Sequence, residues 1–203
     1  MPLRILIADD HKVVRAGLAS ILAYEEDFEV VGEASNGQEA VTRAQELRPD
    51  IVIMDILMPV MDGIEATRRI CAAEPSVRVL VLTTDGNPDD LRRALEAGAK
   101  GAVLKTVMDD ELIARIRKVA AGGQSVSPEV RKLLKTEPPL PPFTERQLAI
   151  LRLVAEGCSN EEIAKRFDIT VSGVKRHLHP VFEKLGATTR TEATALALKR
   201  GLL

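Results

Sequence analysis

Carboxylate, hydroxyl and ammonium groups close four apolar runs of this sequence. Asp9 and Asp10 follow the first run, Asp55 follows the third, Thr83 ends the fourth and Lys105 ends the fifth. If these runs are parallel strands, their carboxyl ends meet at one edge of a sheet, which is where open α/β folds bind ligands. Asp55 alone is explained equally well as a loop cap, but the joint placement of five such groups predicts a site.

The chemistry of this set is specific. Clustered carboxylates repel one another and are normally retained together with a cation. Oxygen ligands with open positions suit Mg²⁺, which keeps some of its water and accepts a phosphoryl oxygen. The set therefore predicts an Asp nucleophile that takes a phosphoryl group, with the charge neutralised by Mg²⁺ and Lys105.

Alternating apolar runs and helical patterns must position these groups. Five strand-like runs alternate with five helical segments over residues 1–121, and Asn87-Pro88 is typical of a helix start. This alternation predicts an α/β domain with a doubly wound, five-stranded parallel sheet in the order 2-1-3-4-5. In that order the strands before Asp10 and Asp55 are neighbours.

Composition limits the class of protein. The 203 residues are 45% hydrophobic and 29% charged, with a net charge of −2, which suits two modest domains. From Phe143 onward, ten basic residues face seven acidic ones, and the sign is opposite before it. A basic tail favours nucleic acid as a partner, although chance also explains so small an excess. Without a membrane-length apolar run or a paired-cysteine motif, the sequence predicts a cytoplasmic protein with no membrane partner.

Residues 122–142 are predicted to be a linker. Ser127-Pro128 can start a short helix to about Lys135, and the following stretch, 137–142, has four prolines in five residues. Such a stretch favours a stiff, extended spacer. A proline-rich ligand for a partner domain is the alternative.

The tail, residues 143–203, is predicted to be an all-α domain of four helices. Capping boxes at Thr144–Gln147, Ser159–Glu162 and Thr189–Glu192 start three of them, at about 145–156, 160–167 and 190–199. The remaining helix covers about 171–185, with Thr170 as its cap and Gly186 as its stop. The short connection at 168–170 is typical of a helix-turn-helix.

The second helix of that pair has two predicted faces. Its apolar stripe contains Val174, Leu178, Val181, Phe182 and Leu185, and the opposite side carries Ser172, Lys175, Arg176 and His179. Such a basic stripe fits a DNA major groove. A merely solvated helix face is the alternative.

The front of the chain carries a set of short motifs: Asp9-Asp10, Asp55 with Met58-Pro59 and Asp62-Gly63, Leu82-Thr83 and Leu104-Lys105. Together they resemble the receiver domain of bacterial response regulators, whose fold is flavodoxin-like. The resemblance implies phosphorylation of Asp55 by a histidine kinase. It also implies a Mg²⁺ site at Asp10, Asp55 and the backbone carbonyl of Leu57, with Asp9 acting through water. Thr83 and Lys105 would bind the phosphoryl oxygens.

The tail motifs include Thr144-Glu145-Arg146, Ser159-Asn160, Val174-Lys175 and Lys184-Leu185-Gly186. They resemble the LuxR-type DNA-binding domain, which with such a receiver makes a NarL/FixJ-type response regulator. The resemblance implies DNA contacts from the basic stripe, with His177 packed inward. It also implies a homodimer formed through the last helix on activation, and it allows RNA polymerase as a further partner.

Four residues depart from the two family patterns. Ala102 stands where receivers usually carry Tyr or Phe, Thr106 where Asp or Pro is usual, and Gly173 where Thr is usual in the tail; Pro180 lies inside the second helix of the helix-turn-helix. Our main hypothesis is a non-enzymatic transcription regulator. Ala102 suggests a DNA-binding regulator that acts without phosphate, and Pro180 suggests a phosphate sink whose DNA reader is defective.

Overall fold

A computed structural model of the protein describes residues 1–84, 87–136 and 139–203. The chain divides into two compact units, Met1–Glu137 and Pro138–Leu203. Among the described residues, every helix is too short or too polar to span a membrane.

The first unit is built on a parallel sheet with the strand order β2-β1-β3-β4-β5-β6. Its strands are β1 Leu3–Ala8, β2 Phe28–Ala34, β3 Ile51–Met54, β4 Arg78–Thr83, β5 Gly101–Leu104 and β6 Ser125–Val126. The predicted order of the first five strands is confirmed. The predicted count of five is wrong, because Ser125–Val126 extends the sheet beside β5. Two residues are too few to show a strand period.

In the described part of this unit, both faces of the sheet are covered by six helices: α1 Lys12–Leu22, α2 Gly37–Leu47, α3 Gly63–Ala73, α4 Pro88–Glu96, α5 Asp109–Ala120 and α6 Pro128–Thr136. Side chains alternate along a strand, so Ile51 and Ile53 join an apolar cluster with α1 and α5. Val52 and Met54 join the opposite cluster with α2, α3, α4 and α6. The strands are therefore buried on both faces, as their unbroken apolar runs require.

Helix caps follow the local sequence. Asn87 accepts a hydrogen bond from the amide of Asp89, and Pro88 occupies the first turn of α4, as predicted. Asp62 caps α3 in the same way by accepting from the amide of Glu65. These caps fix where each helix leaves the sheet edge.

The segment predicted to be a linker differs from that expectation. Residues 125–136 belong to the first compact unit, where Val130 of α6 is fully buried in the cluster shared with α2, α3 and α4. Apolar residues at Val126, Val130, Leu133 and Leu134 give this segment a face to bury. The first unit therefore extends past residue 121.

The predicted spacer lies partly outside the described residues, since Glu137 and Pro138 are not described. Residues 139–144 have no regular secondary structure. Leu140 and Phe143 pack against the second unit, and the Lys184 ammonium donates to the carbonyl of Pro142 at 2.5 Å. The end of the spacer is thus fixed to the helices that follow it.

The second unit contains α7 Glu145–Ala155, α8 Asn160–Phe167, α9 Val171–Leu185 and α10 Arg190–Lys199. The capping boxes that begin with Thr144 and Ser159 are confirmed. The third box is wrong in its second half. Thr189 caps α10, but the carboxylate of Glu192 accepts from the amide and hydroxyl of Thr188 instead. Thr188 offers two donors, which together hold that carboxylate.

Gly63 places the start of α3 against the strand that carries Asp55. An added Cβ at Gly63 would lie 1.8 Å from the carbonyl oxygen of Asp55. We expect Gly63→Ala to lower the free energy of unfolding by about 1–3 kcal/mol, because the backbone must move apart. Urea denaturation of the full chain measures this.

The matched control is Gly17→Ala in α1, where an added Cβ meets nothing within 4 Å. This variant should raise the free energy of unfolding by about 0.5–1 kcal/mol, because alanine favours a helix interior. Equal effects of the two substitutions would contradict the proposed backbone contact at Gly63.

Candidate functional site

The carboxyl ends of β1, β3, β4 and β5 bring four predicted site residues together. Asp9, Asp55 and Thr83 are 2%, 4% and 1% exposed, and the side chain of Lys105 is 10% exposed. Parallel ladders join β1 to β3, β3 to β4 and β4 to β5, which fixes the spacing of these ends. The rigid sheet, rather than a loop, therefore sets the geometry of the site.

Lys105 connects the acidic residues. Its ammonium lies 2.5 Å from Oδ2 of Asp9 and donates to Oδ2 of Asp55 at 2.8 Å. Its backbone amide also donates to the carbonyl of Thr83 at 2.8 Å. One ammonium thus bridges two buried carboxylates, and a hydroxyl-bearing residue lies beside it.

The protonation of Asp55 and Lys105 is coupled. Burial raises the pKa of the Asp55 carboxyl above its ordinary value, although the hydrogen bond and charge of Lys105 act in the opposite direction. Burial disfavours the charged form of Lys105, but hydrogen bonds to Asp55 and Asp9 outweigh it and raise the pKa of Lys105. The charged form of Asp55 therefore benefits from any further cation.

Asp10 and His11 complete a group that can hold a metal ion. One ligand atom from each of Asp9, Asp10, His11 and Asp55 lies within 4.8 Å of the others. Nδ1 of His11 lies 2.7 Å from a carboxylate oxygen of Asp10, whose side chain is 31% exposed. Carboxylate oxygens beside solvent fit a hard cation that keeps some water, such as Mg²⁺. Sequence reasoning missed His11, although it directly follows the Asp pair.

The loop after Asp55 is closely held. The amide of Ile56 donates to Oδ1 of Asp55, and the amide of Gly63 donates to the carbonyl of Ile56, both at 2.8 Å. Leu57 lies in this loop with its side chain half exposed. Val60 has a φ of 68°, a strained conformation for a β-branched residue. The loop therefore keeps one shape at some conformational cost.

Ala102 lies on β5, three residues before Lys105. It is fully buried and its register partner is Val126 of β6. The amide of Ser127 donates to the carbonyl of Ala102 at 3.0 Å. Thr106, the other receiver position that departs from the family pattern, is exposed.

The second unit contains the predicted helix-turn-helix, with its exposed face on α9. Asp168 ends α8 in a left-handed conformation, and Thr170 caps α9 by accepting from the amide of Gly173. The predicted apolar stripe packs inward, with Phe182 only partly buried. The predicted basic stripe, Ser172, Lys175, Arg176 and His179, is exposed along one side. The predicted division into two faces is confirmed.

Three residues of α9 bear on the regularity and the packing of this helix. The helix is continuous through Pro180 from Val171 to Leu185. An added Cβ at Gly173 would meet its neighbours at 3.4 Å or more, so glycine is not required there by space. His177, expected to pack in the core, is only partly buried.

The pKa of Asp55 leads to a testable pH dependence. Because that pKa is raised on folding, ionisation of Asp55 above its ordinary pKa of 3.8 lowers the stability of the folded state. Without divalent cations, Asp55→Asn should therefore raise the free energy of unfolding at pH 7. The gain should shrink as the pH falls towards 3.8, as measured by urea denaturation at several pH values.

Glu26→Gln serves as the control, since it removes one carboxylate at an exposed position. It should not reproduce the pH-dependent gain. An Asp55→Asn variant that is less stable than the wild type at pH 7 would show that the bond to Lys105 outweighs burial.

Comparisons with known proteins cover both units. Residues 5–117 match the response regulator receiver domain, and residues 141–197 match the luxR family of bacterial regulatory proteins. The response regulator protein VraR of Staphylococcus aureus is 39% identical over 208 residues, with 100% of each chain covered.

Two solved structures are similar along the whole chain. The response regulator ChrA of a heme-sensing two-component system is 36% identical, with a TM-score of 0.61 and coverage of 100% of this chain and 99% of that one. RcsB from Salmonella enterica serovar Typhimurium, bound to promoter P1flhDC in the presence of the phosphomimetic BeF₃⁻, is 27% identical. Its TM-score is 0.73, with coverage of 98% and 99%. The chain therefore belongs to the response regulators of the NarL/FixJ type, with a receiver domain followed by a LuxR-type DNA-binding domain.

Proposed function

We propose that phosphorylation of Asp55 by a histidine kinase controls DNA binding by the second unit and thereby regulates transcription. The observation that carries this proposal is the contact of the Lys105 ammonium with Asp55, a buried carboxylate at the sheet edge. The same chain presents an exposed basic stripe on α9. The first feature is suited to accept a phosphoryl group and the second to approach DNA.

In the reaction, an oxygen of Asp55 attacks the phosphorus of a phosphohistidine on the kinase. The P–N bond breaks as the P–O bond forms, and the histidine leaves with the electron pair. Lys105 and Thr83 would bind the equatorial oxygens of the phosphoryl group. Asp10, Asp55 and the carbonyl of Leu57 would hold Mg²⁺, with Asp9 acting through water, and the bound ion would supply positive charge against the developing phosphate.

DNA would be bound by the basic stripe of α9. Lys175 and Arg176 carry positive charge and donors for guanine or phosphate, and Ser172 and His179 add polar contacts at the same face. The relative RcsB has been solved as two dimers bound to two parallel DNAs. We propose a homodimer on paired half-sites, which matches the two-fold symmetry of such DNA sites.

Further partners follow from this function. Leu198 is 60% exposed on α10, the helix proposed to form the dimer contact. A regulator bound at a promoter lies beside RNA polymerase, so the polymerase is a further proposed partner. Because the target would be chromosomal DNA, we also propose a cytoplasmic location. We propose no enzymatic turnover of a diffusible substrate, since the chemistry at Asp55 modifies the protein itself.

Two alternatives have a specific observation in their favour. The receiver pattern would place an aromatic side chain at position 102, where this chain has Ala102. This difference favours DNA binding that is independent of phosphate. Pro180 inside α9 favours a phosphotransfer protein with a defective DNA reader. The experiment below distinguishes both alternatives from the main proposal.

The test is capture of genomic DNA fragments by the full-length protein, with and without Mg²⁺ and beryllofluoride. We expect enrichment of defined sites that increases with beryllofluoride, and binding that weakens steeply as salt rises. Enrichment that ignores beryllofluoride would support the phosphate-independent regulator. Absence of enrichment in both conditions would support the phosphotransfer protein and overturn the proposed function.

Two variants and a control assign the effect to the proposed residues. Asp55→Asn should abolish the response to beryllofluoride. Lys175→Ala should weaken DNA binding by at least about 1 kcal/mol. Arg152→Ala removes an exposed positive charge on α7, a different helix from the one that carries the basic stripe, and should leave affinity nearly unchanged.

We propose that Pro180 affects the stability of the second unit more than its affinity for DNA. A proline removes one helix hydrogen bond and clashes one turn earlier, so Pro180→Ala should stabilise the second unit by up to about 3 kcal/mol. DNA affinity should change less than tenfold, because Lys175 and Arg176 precede the proline. Thermal unfolding and DNA titration measure the two quantities. A hundredfold gain in affinity would show that Pro180 disables the wild-type reader.

A further inference from the structure

The segment that follows α5, formed by β6 and α6, packs against Ala102 of β5. Val126 of β6 is the register partner of Ala102, and the amide of Ser127 donates to its carbonyl at 3.0 Å. Val130 of α6 and Ala102 are both fully buried, with 0% accessible surface each, and belong to one apolar cluster. Position 102 therefore has no empty space for a larger side chain while α6 is docked.

The same segment is tied to α4. The Arg92 guanidinium donates to the carbonyl of Leu134, near the end of α6, at 3.0 Å. Arg92 also forms an ion pair with Asp89 at 2.8 Å, and its side chain is 15% exposed. Leu91 of α4 lies in the apolar cluster that contains Val130. A movement of α4 therefore changes the surface that holds α6.

α4 is in turn close along the chain to the phosphoacceptor site. β4 ends at Thr83, and the cap of α4 is Asn87, which is 6% exposed. Since Thr83 and Asn87 are only four positions apart in the sequence, we expect a displacement of Thr83 towards a phosphoryl group on Asp55 to reach the start of α4. At its other end, α6 leads directly into residues 137–142, the spacer before the second unit.

The docking of α6 is small compared with the rest of the receiver. β6 has two residues, and Val130 is the fully buried side chain of α6, whereas Leu133 and Leu134 are partly exposed. The central strands, by contrast, are buried on both faces. Segments with few buried contacts open independently of the core. The β6–α6 segment can therefore leave while the sheet stays folded.

We propose that α6 passes the phosphorylation state of Asp55 to the DNA-binding unit, by release from α4 and β5 when Thr83 and α4 move. This inference rests on the proposed function. Transmission then uses the backbone segment that lies over Ala102, and an aromatic side chain at position 102 is not needed for it.

Amide hydrogen exchange on the full-length protein tests the release directly, with and without Mg²⁺ and beryllofluoride. We expect the α6 amides to exchange at least tenfold faster with beryllofluoride, while those of β3 remain protected. The β4–α4 region should also change, because Thr83 moves. A response at β4–α4 without a response in α6 would overturn the role of α6 and leave the proposed function intact. No response in either region would overturn both.

Substitution of Val130 tests the functional consequence. Val130→Asp buries a charge in the docking contact and should release α6 permanently. DNA affinity should then differ less than twofold with and without beryllofluoride, whereas the wild type should differ at least tenfold. Retention of the full wild-type response would overturn the proposal.

Lys132→Asp is the matched control, since it introduces the same side chain at an exposed position of the same helix. It should keep the beryllofluoride response. Val130→Ala, which adds no charge, guards against misfolding and should give an intermediate response. Exchange protection of β3 verifies that each variant remains folded, and the wild-type exchange experiment decides the matter if Val130→Asp does not fold.

Discussion

The contact of Lys105 with Asp9 and Asp55 is the interaction on which the site depends. It brings one ammonium and two carboxylates together from three different strands, all of them largely removed from water. Without the Lys105 ammonium, the two buried carboxylates would repel each other and would have no compensation for their lost hydration. The arrangement therefore depends on positive charge beside the carboxylates, which favours a bound cation at this site.

The apolar sheet holds this cluster of buried charges in a fixed geometry. Because β1, β3 and β4 are buried on both faces, their carboxyl ends have little freedom, and the acidic groups are held at fixed separations. The loop after Asp55 is fixed as well, because the amide of Gly63 donates to the carbonyl of Ile56. Gly63 also has no side chain, which lets α3 approach the strand that carries Asp55. The buried acidic groups are thus preorganised before a phosphoryl group arrives.

Much of this arrangement was predictable because it follows from local rules. Unbroken apolar runs indicate buried parallel strands. In a parallel sheet the residues after each run share one edge, which predicts that Asp9, Asp55, Thr83 and Lys105 lie together. The cap of α4 at Asn87 and the two faces of α9 likewise depend on residues close in sequence.

The features that the sequence did not reveal depend on tertiary contacts. β6 is too short to show a period, and its existence depends on the free edge of β5. The apolar residues of α6 indicated a helix but not the surface that buries Val130. Glu192 turned to Thr188 because of donors that a capping-box pattern does not include. His11 joined the acidic group through side-chain orientation, which spacing alone does not determine.

The size of the α6 contact matters for regulation. A hundredfold change in DNA affinity corresponds to about 2.8 kcal/mol. Burial of one valine contributes about 1.5–3 kcal/mol, and one hydrogen bond adds about 1 kcal/mol net. The Val130 contact and the bond from Arg92 to Leu134 are therefore of the same order as such a change in affinity. A contact as large as the sheet interior would not respond, and a much weaker one would not hold the inactive state. The strong cluster at Lys105 and the weak docking of α6 thus have complementary roles in one receiver.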